Sequence, residues 1–384
     1  MPDSFARSTV FCALLTLLML PACLPAAETA TAEQRSDVHR LLYAAMDREI
    51  VVYDISAGHQ YLKTLSVLGD GGVVPDASLP SHGDHGPGNF RGICADAASG
   101  RLWVTYHPTD ELICMDLNTD KVLWRKKYGK HVDSQAITPD GKTIYLPCRE
   151  DGNWHVVNAQ TGEEIAHIAT GGNPHNTECC ADGSRMFMES LAHGFVFLAD
   201  PKTNEIVGKV GPFSSAVRPF SVSDDARHVW ACVNGVRGFE VGDIESGKMV
   251  QRVDAELPPE RKAQLPHPGN PHGCPCHGIG QRPGTQEVWV ADSAYGYAYV
   301  FDVSDIAHSA PKHLADVPLF EKPTDKPEPG WVCFSLDGKY CYMPGDVVID
   351  TGAKKVVARI PTSEKMLEID FEGGKPVKTG RRMW

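Results

Sequence analysis

The chain has 384 residues, a formal net charge of −12, 42% hydrophobic residues and 22% charged residues. That balance suits a soluble globular protein, and with no Lys/Arg run it excludes a nucleic-acid partner bound through its phosphates. The length would allow two or three ordinary domains, but an internal repeat overrides that prior.

Taken in order, residues 1–27 read as a secretory signal: one Arg at Arg7, an apolar run over 8–20, and small residues over 21–27. The apolar run is too short for a spanning helix, so no transmembrane span is expected. Cleavage falls near Ala26 or Ala27; alternatively LPAC at 20–23 resembles a lipobox, in which Cys23 would carry a lipid anchor. The expectation is a periplasmic or secreted protein, or a membrane-anchored lipoprotein. Residues 28–38 read as a flexible tether, 39–375 as the folded body and 376–384 as a C-terminal tail.

The folded body is repetitive. The stretch PHNTECCADGSRMFME (174–189) reads as a strand, an Asp182-Gly183 turn and a second strand, because Gly takes φ > 0 without a Cβ clash and Asp tolerates it. It recurs as FRGICADAASGRLWVT (90–105), SQAITPDGKTIYLPC (134–148), RPFSVSDDARHVWAC (218–232), CHGIGQRPGTQEVWVA (276–291) and GWVCFSLDGKYCYMP (330–344). The register positions Gly100, Gly141, Gly183, Ala226, Thr285 and Gly338 are spaced by 41, 42, 43, 59 and 53 residues. A period in the low forties with four short strands per unit is the signature of propeller blades. Residues 41–54 hold two strands with no inner strand before them, and KMLEIDF (365–371) supplies that strand from the other end. The fold class is therefore all-β: a seven-bladed β-propeller with one blade closed by both termini, which pairs otherwise exposed edges. Polar turns such as 116–120 and 158–162 recur with the blade and read as structure, not as calcium or phosphate sites. The long Pro/His-rich stretches 69–89, 254–273 and 319–329 each run into the start of an innermost strand, which places them on one face over the channel mouth.

These repeats resemble those of the YVTN-type, YncE-like bacterial β-propeller proteins, whose blades carry the phrase PHGIAxSPDGxxxYV. Residues 276–291 and 174–189 match it, the other repeats loosely, and the similarity spans almost the whole mature chain. RPFSVSDD, HGCPCHGIG, GWVCFSLDG and SEKMLEIDF resemble phrases of a bacterial subgroup of that superfamily. The resemblance implies a seven-bladed propeller and export. It implies no particular reaction, because the superfamily includes lactonases, lyases, quinone-dependent dehydrogenase subunits and proteins without known chemistry.

Counting eight residues back from each register position, with one insertion in the first unit, reaches Arg91, Asp133, His175, Arg218, His277 and Gly330, and from Gly373 reaches Lys365. Seven equivalent positions converge at the start of the innermost strands, and six are titratable. Trp331 follows the exception, and Asn176 follows His175. Wet channel entrances carry polar residues as a matter of course, but two Arg, two His and a Lys against one Asp need an anion to compensate them. The expected ligand is small and anionic or oxygen-rich: a carboxylate, uronate or lactone, or an oligosaccharide that carries one. In a lyase, His175 or His277 would take a proton alpha to a carboxylate while Arg91 and Arg218 neutralise the developing charge, with Asp133, Asn176, Trp331 and Lys365 binding the ligand. Hydrolysis of a lactone by a metal-activated water would draw instead on Glu178, Asp133 or His-rich loops.

Those loops form the second constellation. His267, His272, Cys274, Cys276 and His277 fall within eleven residues, and His82 and His85 add two imidazoles on another loop. Imidazole and thiolate suit Zn or Cu, and Mn is the third divalent metal considered. C-x-C-H matches neither a zinc finger nor a covalent haem motif, and a Cys274–Cys276 or longer disulfide is the alternative in an exported chain. Two further function classes stay open: a non-catalytic platform for a protein partner, and a metal- or quinone-linked redox subunit.

Overall fold

The computed structural model describes residues 38–69, 90–264, 274–322 and 330–380. The strands follow from two burial patterns. Second and third strands such as Arg101–Tyr106 and Glu111–Asp116 are covered on both faces and read as continuous apolar runs. Outermost strands such as Val122–Lys127 and Lys355–Ala358 alternate strictly between half-buried and exposed. A sheet standing edge-on between two neighbours produces this gradient: the middle strands are buried on both sides and the outermost strand on one.

Six four-stranded antiparallel sheets and one five-stranded sheet make seven blades. The second blade illustrates the meander: Phe90–Asp96, Arg101–Tyr106, Glu111–Asp116 and Val122–Lys127, each paired with the next. The first blade joins both ends of the chain. Lys365–Glu372 pairs along its whole length with Val38–Ala45, from Val38↔Glu372 to Ala45↔Lys365, and Glu49–Asp54 and Gln60–Ser66 follow outward. The stretch assigned to a tail contributes a fifth strand, Lys375–Thr379, on the other edge of Lys365–Glu372. Thr379 Oγ1 donates to the Ala95 carbonyl of the second blade at 3.2 Å.

The repeated turns have the predicted backbone. Gly100, Gly141, Gly183 and Gly338 lie at φ of +63° to +71°, and Ala226 adopts +54°. In the sixth blade the positive φ falls on Gly284, while Thr285 N–H keeps the turn bond, to Arg282 O at 3.2 Å, that Gly183 makes to Cys180 O at 3.0 Å. Four residues beyond the turn position (three in the second blade) an aromatic side chain is fully buried in each of six blades: Trp103, Tyr145, Phe187, Trp230, Trp289 and Tyr342. Each removes enough apolar area from water to contribute up to about 4–6 kcal/mol of transfer free energy. Trp103 Nε1 also donates to Ala159 O of the next blade at 2.9 Å, which fixes the blades against each other.

None of the ten described cysteines is in a disulfide, and all are buried. The Cys274–Cys276 disulfide is not formed: Cys274 Sγ donates to Cys276 O at 2.8 Å, and Cys276 Sγ accepts from Gly238 N–H at 3.2 Å. The 254–273 stretch holds a one-turn helix, Pro259–Lys262. From it, buried Arg261 donates to Phe320 O at 3.0 Å and Glu321 O at 3.2 Å, tying two of the long connections together. Among the described residues no helix is long and apolar enough to cross a membrane.

Candidate functional site at the propeller axis

The ring positions owe their orientation to β-bulges. In the fourth, fifth and sixth blades the ladder between the first two strands slips between Pro174 and Thr177, Val217 and Phe220, and Cys276 and Ile279. His175, Arg218 and His277 occupy those slips, and Arg91 sits in a smaller one between Phe90 and Gly92. A bulge re-aims a side chain that a regular ladder would turn into the blade. The ring is covered in part: Asp133 is 2% exposed, Lys365 1% and Asn176 not at all, while Arg91, Arg218 and His277 are half-buried.

Trp331 crosses the axis. Its backbone is left-handed at φ +60°, an uncommon state for a bulky residue that the surrounding structure must enforce. Trp331 N–H donates to His277 O at 2.7 Å, and a Cβ on Gly278 would collide with the Trp331 backbone, so only glycine permits this approach. The Lys365 ammonium lies 3.3 Å from the centroid of the indole. The His175 ring stacks against Trp331 with centroids 6.1 Å apart, and His277 meets it edge-on at 5.4 Å. Because Lys365 belongs to the first blade and His175 to the fourth, the indole spans opposite walls and floors the channel.

Polar groups surround that floor. Lys365 Nζ donates to Ser134 Oγ at 3.0 Å, which donates to Arg91 O at 2.8 Å. Asp133 Oδ2 lies 3.7 Å from Arg149 and 3.8 Å from His175 Nε2. Glu189, opposite the bulge on the neighbouring strand, accepts with one oxygen from Asn176 N–H and from His175 Nδ1–H, each at 3.2 Å. That bond orients the His175 ring so that Nε2 faces Asp133 and the axis. Burial alone would raise the Asp133 carboxyl, but the charges of His175, Lys365, Arg149 and Arg91 hold it below its ordinary value. Burial pulls Lys365 down to about 8 against the opposing charges of Glu364 and Asp133, and Arg91 adds to the drop. Burial also lowers Arg218.

Beside the ring, His107 and His131 stack with centroids 3.8 Å apart. Arg149 donates to His131 Nε2 at 3.1 Å, so that nitrogen is unprotonated. Burial first, then Arg149 and His107, bring His131 down to about 4. Arg149, Glu189, His107 and His131 were not among the residues that sequence counting reached. The signal for Glu189 was there: it is an acid on a second strand where the equivalent positions are Cys232 and Ala291.

Several buried atoms of this cluster have no hydrogen-bond partner: Arg91 Nε, Arg218 Nε, Asn176 Nδ2 and Oδ1, and Glu189 Oε1. Buried polar atoms are nearly always paired in folded proteins, so such a group marks a place for a polar guest.

The expected loop metal site divides. His82, His85 and His272 lie outside the described residues. Cys276 and His277 are neighbours on one strand, and Cys276 Sγ is taken up by Gly238 N–H at 3.2 Å. Among the described residues, Cys274, Cys276 and His277 form no three-ligand cluster. Glu178 accepts from Val222 N–H at 3.0 Å and is engaged in joining blades.

No protein-family model and no curated protein matches the chain. Solved structures do match in fold. A chain of Kuenenia stuttgartiensis hydrazine synthase aligns with a TM-score of 0.59 at 16% identity, over 78% of this chain and 98% of that one. Dihydro-heme d1 dehydrogenase NirN in complex with DHE aligns at 0.57 and 14% identity, over 89% and 72%. The Swd1 β-propeller domain of Myceliophteria thermophila aligns at 0.53 and 12% identity, over 77% and 86%. At such identities the likeness shows a shared β-propeller fold and nothing about chemistry.

Proposed function

We propose that this is an exported β-propeller that binds a small carboxylate-bearing ligand, a uronate or related sugar acid, over the Trp331 floor of its axis. The observation that carries this reading is an excess of positive charge, made up of the half-buried Arg91, Arg149 and Arg218 and the buried Lys365. Arg91, Arg149, Arg218 and Lys365 surround two buried carboxylates, Asp133 and Glu189, and the Nε atoms of Arg91 and Arg218 have no acceptor. Desolvated guanidinium groups are stabilised by an anion with oxygen acceptors, and the amide of Asn176 supplies further contacts for hydroxyls. The propeller resemblance and the signal-like N-terminus support export.

The groups present suit β-elimination better than simple storage of an anion. His175 Nε2, oriented by Glu189, would take the proton alpha to the carboxylate. The electron pair forms the C=C bond, the β C–O bond breaks, and the leaving oxygen takes a proton from Lys365 or His277. Arg91 and Arg218 would neutralise the enolate-like charge. The names of the two redox neighbours supply no residue to this chain, so the redox alternative gains no specific support from them.

Calorimetry with galacturonate and glucuronate, and with neutral galactose as the control, tests binding. The uronates are expected to bind and galactose not, and Arg218→Ala to weaken binding roughly 10–100-fold, the loss of one charge-assisted hydrogen bond. Equal binding of acid and neutral sugar, or of wild type and Arg218→Ala, would sink the proposal. The ultraviolet absorbance of a conjugated product, absent in His175→Ala, tests the elimination step.

A further inference from the structure

Away from the axis, the third blade carries a second set of ligating atoms. His155 on Asn153–Asn158 and His167 on Glu164–Ala169 are directly opposed across the ladder. Opposed residues of an antiparallel pair share a face of the sheet. Glu164, three residues before His167, would fall on the other face of a regular strand. The bulge between Val156 and Val157 shifts the register so that Glu164 pairs with Val157, and this turns it to the histidine side.

The three side chains meet there. Glu164 Oε2 lies 2.7 Å from His155 Nδ1, and Oε1 lies 2.6 Å from His167 Nε2. The two ring nitrogens are 3.1 Å apart, and all of the ligand atoms fall within 4.8 Å of one another. Bonds of about 2.0–2.2 Å to a tetrahedral ion place ligand atoms roughly 3.3–3.6 Å apart, so a small outward movement opens a cation-sized centre. Without a cation, both imidazole nitrogens crowd one carboxylate, each against its own oxygen. With one, each nitrogen and the carboxylate present a lone pair to the same charge.

The surroundings fit a site loaded from solvent. His155 is nearly buried and held from behind: its ring meets Tyr128 edge-on at 5.9 Å, and a Cβ on Gly129 would come within 2.7 Å of its Nε2. The side chains of His167 and Glu164 are 53% and 36% exposed, which leaves the outer coordination position to water. Two imidazoles and one carboxylate select a borderline transition ion over calcium or magnesium, which prefer all-oxygen shells.

We propose that His155, Glu164 and His167 form a binding site for a divalent transition metal of the zinc class on the outer half of the third blade, independent of the axial cluster. Calorimetric titration of the chelator-treated full chain with Zn²⁺ is expected to give a binding event that His167→Asn and Glu164→Gln each weaken by at least ~10-fold. His272→Ala, in the loop motif, is expected to leave that event in place. Because both substituted side chains are exposed, the variants should unfold at the wild-type temperature in chelator. The proposal is overturned if no Zn²⁺ binds, if both variants bind as wild type does, or if His272→Ala removes the event instead.

Discussion

Lys365 sits in an environment far from ordinary solution. Its ammonium is buried between an indole face and a serine hydroxyl, and burial brings it from 10.5 down to about 8. The unfolded chain binds this proton more tightly than the folded one, so folding stability gained through this group rises as pH climbs from about 8 to 10.5. A displacement of that size is worth about 3 kcal/mol. The buried cysteines act in the opposite sense, since burial raises thiols such as Cys232 and Cys341 and favours the unfolded, ionised form at high pH. The comparison must therefore be a difference. Urea unfolding of wild type and Lys365→Met in reductant should show the gap moving toward wild type by about 3 kcal/mol between pH 8 and 10.5. A constant gap would mean that Lys365 is solvated. At this scale the sequence was informative only where residues recur. Arg91, Asp133, His175, Arg218, His277 and Lys365 were found because each stands at the same distance from a turn. Glu189, Arg149, His107 and His131 reach the axis from second strands and from connections that follow no common count, so only the folded chain brings them there.

At the scale of the element, the turn glycines look alike in sequence and differ in the fold. Gly141 and Gly373 both have positive φ, +68° and +56°. A Cβ on Gly373 would meet nothing within 4 Å, whereas one on Gly141 would lie 2.5 Å from the Asp96 carboxylate of the adjacent blade. Asp96 cannot simply move aside, because it accepts Ser99 N–H at 2.8 Å within its own turn. Gly373→Ala should cost about 1 kcal/mol, the left-handed penalty alone, and Gly141→Ala at least about 2 kcal/mol. Equal losses in denaturant unfolding would contradict the blade-to-blade packing at this turn. Strand order and blade number were legible because turn chemistry and apolar runs are local. The bulges were not, since a slipped pair at His175 or Val157 depends on which strand lies opposite. They are also what places the chemistry: one bulge faces His175 toward the axis, and another rotates Glu164 toward two histidines.

A seven-bladed ring has only one place where the order of the chain does not bring neighbouring strands together, and there a charged cluster built on the buried Glu368 joins the ends. Arg40, on the first strand, donates through Nε to Glu368 Oε1 at 2.7 Å and through a terminal nitrogen to Asp337 of the seventh blade at 2.7 Å. Glu368 is fully covered and its other oxygen also accepts Leu336 N–H at 2.6 Å. Burial works against the Arg40 charge, yet the bonds to Glu368 and Asp337 outweigh it and raise the guanidinium above its ordinary range. One side chain thus joins Val38–Ala45, Lys365–Glu372 and the seventh blade. Its removal leaves a buried carboxylate without its cation, which is far more costly than losing a surface ion pair. Arg40→Ala should lower stability by about 3 kcal/mol, and adding Glu368→Gln should restore part of it by removing the stranded charge. Because each blade is held by its two neighbours, loosening the closure should shift the far-ultraviolet and tryptophan signals together, as one transition. If only one signal moves, the first blade opens separately and the ring does not depend on its closure for cooperativity.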